Sequence, residues 1–159
     1  MCLSMNKNEL RHLWVKNDFR PIKRFGQNFL VDPNMRGKIV RHIDVGSGDT
    51  VLEIGPGFGG LTFGLAKRAK RVVAVEKDKK ITQILRSSFE LPNKVKIVEG
   101  DFLEPDIRKI FKSRRVVVYG SIPYYITSLI IEKLIENIES IKSIYLVVQK
   151  EMAERIAAK

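Results

Sequence analysis

A doubly wound, mostly parallel α/β sheet is the fold this sequence predicts, on three observations. Short β-branched runs recur along the chain, helix-compatible stretches separate them, and the residues closing several runs are small, acidic or aromatic. Alternating strand and helix signals indicate right-handed βαβ units. Sheets of that kind place their ligands at the carboxyl ends of the strands, so the third observation marks a site as well as a fold.

The chain begins with a polar, basic segment, residues 1–24. Here Lys7, Arg11, Lys16, Arg20, Lys23 and Arg24 are interrupted by Leu10, Leu13 and Trp14. That spacing fits a short helix and equally a frayed arm, and the segment is set apart from a folded domain over residues 25–159. Asp32-Pro33 has the form of an N-cap followed by proline at the first helical position, which predicts a helix to about Ile43. Gly46-Ser47-Gly48-Asp49 then supplies a turn. Strands are expected at 51–54, 72–75, 95–98, 116–119 and 144–148, and helices near 60–69, 78–88, 104–112 and 127–139. The runs starting at Val51, Val72 and Val116 are almost wholly apolar, as central strands covered on both faces should be.

Composition narrows the function classes. With 159 residues and 44% hydrophobic content, the chain is long enough for one domain with its own core. Lys and Arg number 29 against 18 Asp and Glu, a formal charge of +11 that suits a polyanionic partner but equally describes a merely basic soluble protein. Cys2 is the only cysteine, so an internal disulfide and a cysteine-based zinc site are excluded. His12 and His42 lie apart, with no carboxylate spacing of a metal site or triad. No apolar run has signal-peptide or membrane-spanning length, and a cytoplasmic protein with no metal and no membrane partner is expected.

The strand ends carry the chemistry. Glu53-Ile54-Gly55-Pro56-Gly57-Phe58-Gly59-Gly60 follows a strand and opens a helix. Gly55, Gly57 and Gly60 satisfy the dinucleotide pattern, and Glu76 follows about 20 residues on, where an acid binds a ribose diol. Alone, this pattern is shared by nucleotide and S-adenosylmethionine binders, and a tight turn without ligand is the bland alternative. Glu53 tips the balance, because a carboxylate beside the loop disfavours a pyrophosphate and suits a ligand carrying an ammonium and a sulfonium. Asp101, in Gly100-Asp101-Phe102-Leu103, is placed to receive an adenine amino group with Phe102 flanking the ring. Acids at strand ends also cap helices, and Asp78 is expected to do so. Glu76 and Asp101 each admit either reading; beside the glycine loop they favour a nucleoside.

Ser121-Ile122-Pro123-Tyr124-Tyr125 closes the fourth run and resembles the Asn-Ile/Leu-Pro-Tyr motif of adenine-amino methyltransferases. The amine of adenine is a poor nucleophile because its lone pair is delocalised into the ring. Acceptors from the Asn side chain and from the carbonyl before the Pro engage its N–H groups, while an aromatic ring stacks on the extruded base. Transfer is then largely a matter of positioning. In isolation, Pro-Tyr-Tyr would read as a turn with core tyrosines.

Taken together, Phe25-Gly26-Gln27-Asn28-Phe29-Leu30, Glu53 to Thr62, Glu76, Gly100-Asp101, Ile122 to Ser128 and Val148 to Ile156 resemble the ribosomal RNA adenine dimethyltransferase family, in order over roughly residues 20–159. The members that modify small-subunit RNA fit better than the macrolide-resistance enzymes around Gly55-Pro56-Gly57. The resemblance implies a Rossmann-like S-adenosylmethionine-binding domain over residues 25–159 and two methyls on each of two adjacent adenines. It implies that Asn28, Leu30 and Gly55 contact the methionine end, Glu76 the ribose and Asp101 the adenine. Ser121 would touch both cofactor and target amine, Pro123 belongs to the catalytic turn, and Tyr124 stacks on the target base.

The sequence departs from the family at Ser121, where the family has Asn, and at Leu129, where it has Pro. The serine hydroxyl reaches about 1.5 Å less far than an Asn carbonyl oxygen. The match stops at Lys159, where the family continues into further strands and a helical RNA-binding domain, so a truncated or split chain is expected, with five strands of the usual seven. A non-catalytic RNA-binding or assembly factor is therefore kept as the alternative function, and a nicotinamide oxidoreductase is disfavoured by Glu53 and the Pro-Tyr-Tyr segment.

Overall fold

The structure is a computed structural model that describes residues 5–22, 27, 29–104 and 115–158. The expected helix near 104–112 lies almost wholly outside the described residues, and Lys23, Arg24 and Asn28 lie outside them altogether.

Five strands form one parallel sheet: β1 (Thr50–Ile54), β2 (Arg71–Glu76), β3 (Val95–Glu99), β4 (Val116–Ser121) and β5 (Ile141–Val147). Their order across the sheet is β3-β2-β1-β4-β5, with every neighbouring pair parallel. The apolar runs at Val51, Val72 and Val116 are the three inner strands, as their composition requires. β5 starts at Ile141 rather than 144, because its first residues lack a β-branched run while still pairing with Val116 and Val117 across a register shift. Among the described residues β5 stands at the edge of the sheet beside β4.

Six helices of the described residues surround the sheet: α1 (Lys7–Lys16), α2 (Pro33–His42), α3 (Thr62–Arg68), α4 (Lys79–Ser88), α5 (Thr127–Ile135) and α6 (Lys150–Ala157). Alternation along the strands divides their side chains between two faces. Leu52, Ile54, Val73, Val75 and Val118 pack with Ile130 and Leu134 of α5. Val51, Val72 and Val117 pack on the opposite face with Val40 of α2 and Leu65 of α3. Each fully buried aliphatic side chain contributes about 1.5–3 kcal/mol.

The helix starts follow their caps. Asp32 accepts hydrogen bonds from the N–H groups of Asn34 and Met35 ahead of Pro33, and Asp78 accepts from those of Lys80 and Ile81. The helix signal in the first segment is realised: Asn6 and Glu9 form a reciprocal capping box at the start of α1. Leu10 and Phe19 are buried in a cluster with Phe58, Ile81 and Leu85, so this part of the segment is docked rather than frayed. Phe19 and Phe29 each meet Phe58 edge-on or tilted, with ring centroids 5.1 and 5.0 Å away.

Candidate functional site

At the carboxyl end of β1 the chain enters three positive-φ glycines, Gly55 (67°), Gly57 (55°) and Gly59 (76°). These are left-handed conformations that glycine adopts without penalty. The Gly55 N–H donates to the Val75 carbonyl at 2.9 Å, which ties the turn to the neighbouring strand. A Cβ on Gly57 would come within 3.2 Å of the Phe29 ring, whereas one on Gly55 would project into open space. The loop thus exposes backbone at Gly55 while packing tightly at Gly57.

Sheet order reverses between β1 and β4, and a cavity of about 530 Å³ opens there. This is the topological switch point, where open α/β sheets bind ligands. Leu30, Gly55, Glu76, Asp101, Ser121 and Pro123 all line it. Residues far apart in the chain, at the ends of four strands, therefore converge on one space. Tyr124 does not line it; it sits in a 3₁₀ turn after Pro123 with 47% of its surface exposed, while Tyr125 lines the cavity mouth.

Two carboxylates lie at the floor. Glu53 is 1% exposed, and its Oε2 has no hydrogen-bond partner. Burial pushes its carboxyl up to about 7; the nearby Thr62 hydroxyl pulls partly back and the charge of Glu76 adds to the rise. Glu76 is 7% exposed, with Oε2 accepting from the Gly57 N–H at 3.2 Å and Oε1 from the Asp78 N–H at 2.9 Å. Burial likewise pushes it up to about 7 against the pull of those N–H groups. Each carboxylate oxygen retains a second lone pair, so Glu76 can still accept from a pair of hydroxyls. Burial also pushes the Tyr119 hydroxyl, opposite Glu53 in the β1–β4 register, well above its ordinary value.

Asp101 differs in kind. Its Oδ2 meets the Lys77 ammonium at 2.6 Å and its Oδ1 accepts from the Leu103 N–H at 3.0 Å. Burial raises its carboxyl, but Lys77 and Leu103 outweigh that and hold it below the ordinary carboxylate range. An amino group using Asp101 shares it with Lys77. Buried Phe102 lines the cavity beside it. On the β4 side, the Pro123 carbonyl already accepts from the Thr127 hydroxyl at 2.9 Å and the Ile126 N–H at 3.2 Å. Those bonds fix the turn that carries Ser121 into the cavity.

Sequence reasoning missed Lys77, Tyr125, Met5 and Leu10, all of which line the cavity. Lys77 and Tyr125 are neighbours of residues already marked and carried no separate pattern. Met5 and Leu10 reach the cavity only because α1 docks, which no local signal announces. Among the described residues no group of three or more His, Cys, Asp or Glu is placed to hold a metal ion, and no helix is long and apolar enough to cross a membrane.

With this geometry in view, similarity to known proteins is specific. Residues 18–159 match the family described as Ribosomal RNA adenine dimethylase. Ribosomal RNA small subunit methyltransferase A of Bacillus mycoides (strain KBAB4) is 38% identical over 157 residues, covering 96% of this chain and 54% of that protein. The chain thus spans about half the length of such relatives. Among solved structures, 23S rRNA methyltransferase ErmE superposes with a TM-score of 0.68 at 32% identity, over 80% of this chain and 50% of that one. A dimethyladenosine transferase from Plasmodium falciparum gives 0.69 at 33% identity, over 83% of this chain and 47% of that one. Sheet order and sequence agree, and the chain belongs to the ribosomal RNA adenine dimethylase family.

Proposed function

We propose that this chain carries the cofactor-binding and catalytic part of an S-adenosylmethionine-dependent methyltransferase that dimethylates adenine amino groups of small-subunit ribosomal RNA. The observation that carries the reading is the single cavity at the switch point, where the glycine turn, Glu76, Asp101 and the Ser121–Pro123 turn meet. Relatives named for the small ribosomal subunit share 38% identity over 96% of this chain, and a cytoplasmic site of action goes with that substrate.

The cavity fits the cofactor on its own chemistry. An orphaned buried oxygen of Glu53 and the shared carboxylate of Glu76 suit a cationic, hydroxyl-bearing ligand, and the open space over Gly55 admits it close to backbone. Leu30, Gly55 and Asn28, the last outside the described residues, would hold the methionine end, Glu76 the ribose and Asp101 the adenine. When bound, the cofactor supplies an electrophilic methyl group.

This chain's residues do the rest by positioning. The Ser121 hydroxyl accepts one N–H of the target amine and localises its lone pair toward the methyl. Pro123 holds the turn that aims the preceding carbonyl at the other N–H. Tyr124, exposed beside the cavity, offers its ring to the extruded base. Residues 25–159 form the S-adenosylmethionine-binding domain in this reading, and the basic segment 1–24 contributes α1 as a wall of the cavity.

Isothermal titration of the chain and of Glu76→Ala with S-adenosylmethionine tests the pocket. The parent binds and the folded variant binds at least tenfold more weakly, since hydrogen bonds to a charged group contribute about 1.5–3 kcal/mol. Equal affinities would remove Glu76 from the site, and preferential binding of a nicotinamide dinucleotide would overturn the cofactor. Methyl transfer to under-methylated small subunits tests the reaction; cofactor binding without transfer would favour the assembly-factor alternative.

A further inference from the structure

Buried carboxylates line the cofactor cavity, and two of the lysines at that end, Lys77 and Lys79, are paired with Asp101 and Glu99, which raises the question of where a polyanionic substrate is held. Glu53, Glu76, Asp78 and Asp101 stand at or just beyond the carboxyl ends of β1, β2 and β3. They suit a cationic cofactor and disfavour phosphates.

Cations gather at the opposite end of the same strands. Lys70 and Arg71 enter β2, Lys94 precedes β3, and Lys67 lies in the last turn of α3. The strands are parallel neighbours, so these positions share one rim: the Val72 N–H donates to the Lys94 carbonyl at 2.9 Å. All four residues are exposed.

Some cations nearby have structural duties. Arg68 donates to the Val40 and Ile43 carbonyls at the end of α2, and the Lys94 ammonium caps the Ala69 carbonyl at 2.9 Å. Lys142 pairs with Asp49 at 3.0 Å, and the Asp49 carbonyl accepts from the Lys70 N–H at 2.9 Å. Lys67, Lys70 and Arg71 do none of this: their side chains make no ion pair or hydrogen bond among the described residues. Three solvated cations held on one rigid edge repel one another, and a polyanion relieves that repulsion while releasing counterions.

We infer that the rim formed by Lys67, Lys70, Arg71 and Lys94 is a docking surface for the phosphodiester backbone of RNA, at the opposite end of the sheet from the cofactor cavity. The inference deepens the proposed function, since it rests on RNA being the substrate. It divides the labour between a carboxylate-lined cavity that selects the cofactor and a basic rim that grips the RNA without reading its sequence.

Fluorescence anisotropy with a labelled RNA hairpin tests this, comparing the parent with Lys67→Glu/Lys70→Glu/Arg71→Glu. A control of equal charge change, Lys133→Glu/Lys150→Glu/Arg155→Glu, lies on α5 and α6. The rim variant should bind about tenfold or more weakly near 0.1 M salt, with the slope of log affinity against log salt shallower by about 2–3. The control should change severalfold less. Equal losses in both variants mean that net charge alone is read and overturn the surface, as does an unchanged rim variant. The triple glutamine variant at the rim, checked by circular dichroism, answers the same question should the charge reversal unfold. Parent titration with S-adenosylmethionine separates the two ideas: a chain that grips RNA through the rim but binds no cofactor fails the proposed function, not this one.

Discussion

Replacing Glu53 by Gln should make the protein more stable at pH 8 and poorer at binding its cofactor. The carboxyl is 1% exposed, one oxygen lacks a partner, and burial pushes it from an ordinary 4.5 up to about 7. The folded chain therefore keeps this proton to higher pH than the unfolded chain, so stability falls as pH rises from about 4.5 to about 7 and levels off above. That gap corresponds to about 3 kcal/mol in full. Gln brings a buried amide of its own, which leaves a net gain of about 1–3 kcal/mol at pH 8. For a chain of this size that is roughly 3–10 °C in Tm. Below pH 4.5 Glu53 is protonated in both states and the advantage should vanish or reverse. Thermal melts of parent and variant at pH 4.5, 6 and 8 measure the difference directly. A Tm difference that does not vary with pH would refute the buried charge. In the same samples at pH 8, affinity for S-adenosylmethionine should fall about tenfold or more, because a cationic ligand loses its carboxylate.

Gly57→Ala forces an L residue to φ 55° with its Cβ 3.2 Å from the Phe29 ring, and should cost about 1–3 kcal/mol in stability; an unchanged Tm would contradict the packing. Ser121→Asn should raise single-turnover methyl transfer up to about a hundredfold with little change in cofactor affinity, since about 1 Å of misplacement can cost that much. The comparison is best made in a version extended with a relative's C-terminal region, and equal rates would mean that the backbone carbonyl and Tyr124 suffice.

Much of the fold was legible because strand composition encodes sheet position. Val51, Val72 and Val117 are fully buried, and a strand covered on both faces leaves a continuous apolar run that needs no partner to be recognised. Caps were equally local: Asp32 and Asp78 act through N–H groups two and three residues away. β5 was placed three residues late because an edge strand, with half-buried and exposed positions, tolerates Lys142 and Ser143 at its start. The docking of α1 was not legible at all. It depends on Trp14, Phe19, Phe29 and Phe58 meeting across more than 40 residues of sequence, and aromatic content alone names no partner. Cavity-lining residues were legible where a strand end met an acid or a glycine, as at Gly55, Glu76 and Asp101. Tyr125 and Lys77 needed the fold, since their place at the cavity mouth depends on which strands neighbour each other.

Under the proposed function the two tyrosines divide one turn between two ligands. Tyr124 and Tyr125 lie in one 3₁₀ turn and both are exposed, at 47% and 56%, but Tyr125 lines the cavity and Tyr124 does not. Lys77, whose ammonium holds Asp101, lines the same cavity as Tyr125. In the proposed reading the Tyr125 ring goes with the group assigned to the adenine of the cofactor, and that of Tyr124 with an incoming base. Alanine substitutions should separate the roles. Tyr125→Ala should weaken cofactor binding severalfold in a titration without RNA. Tyr124→Ala should leave that titration unchanged and slow methyl transfer about tenfold or more, given about 1–3 kcal/mol for a stacked base. The reverse pattern, with Tyr124→Ala losing the cofactor and Tyr125→Ala only the rate, would mean that the turn rotates on binding and that the assignment of the two rings must be exchanged.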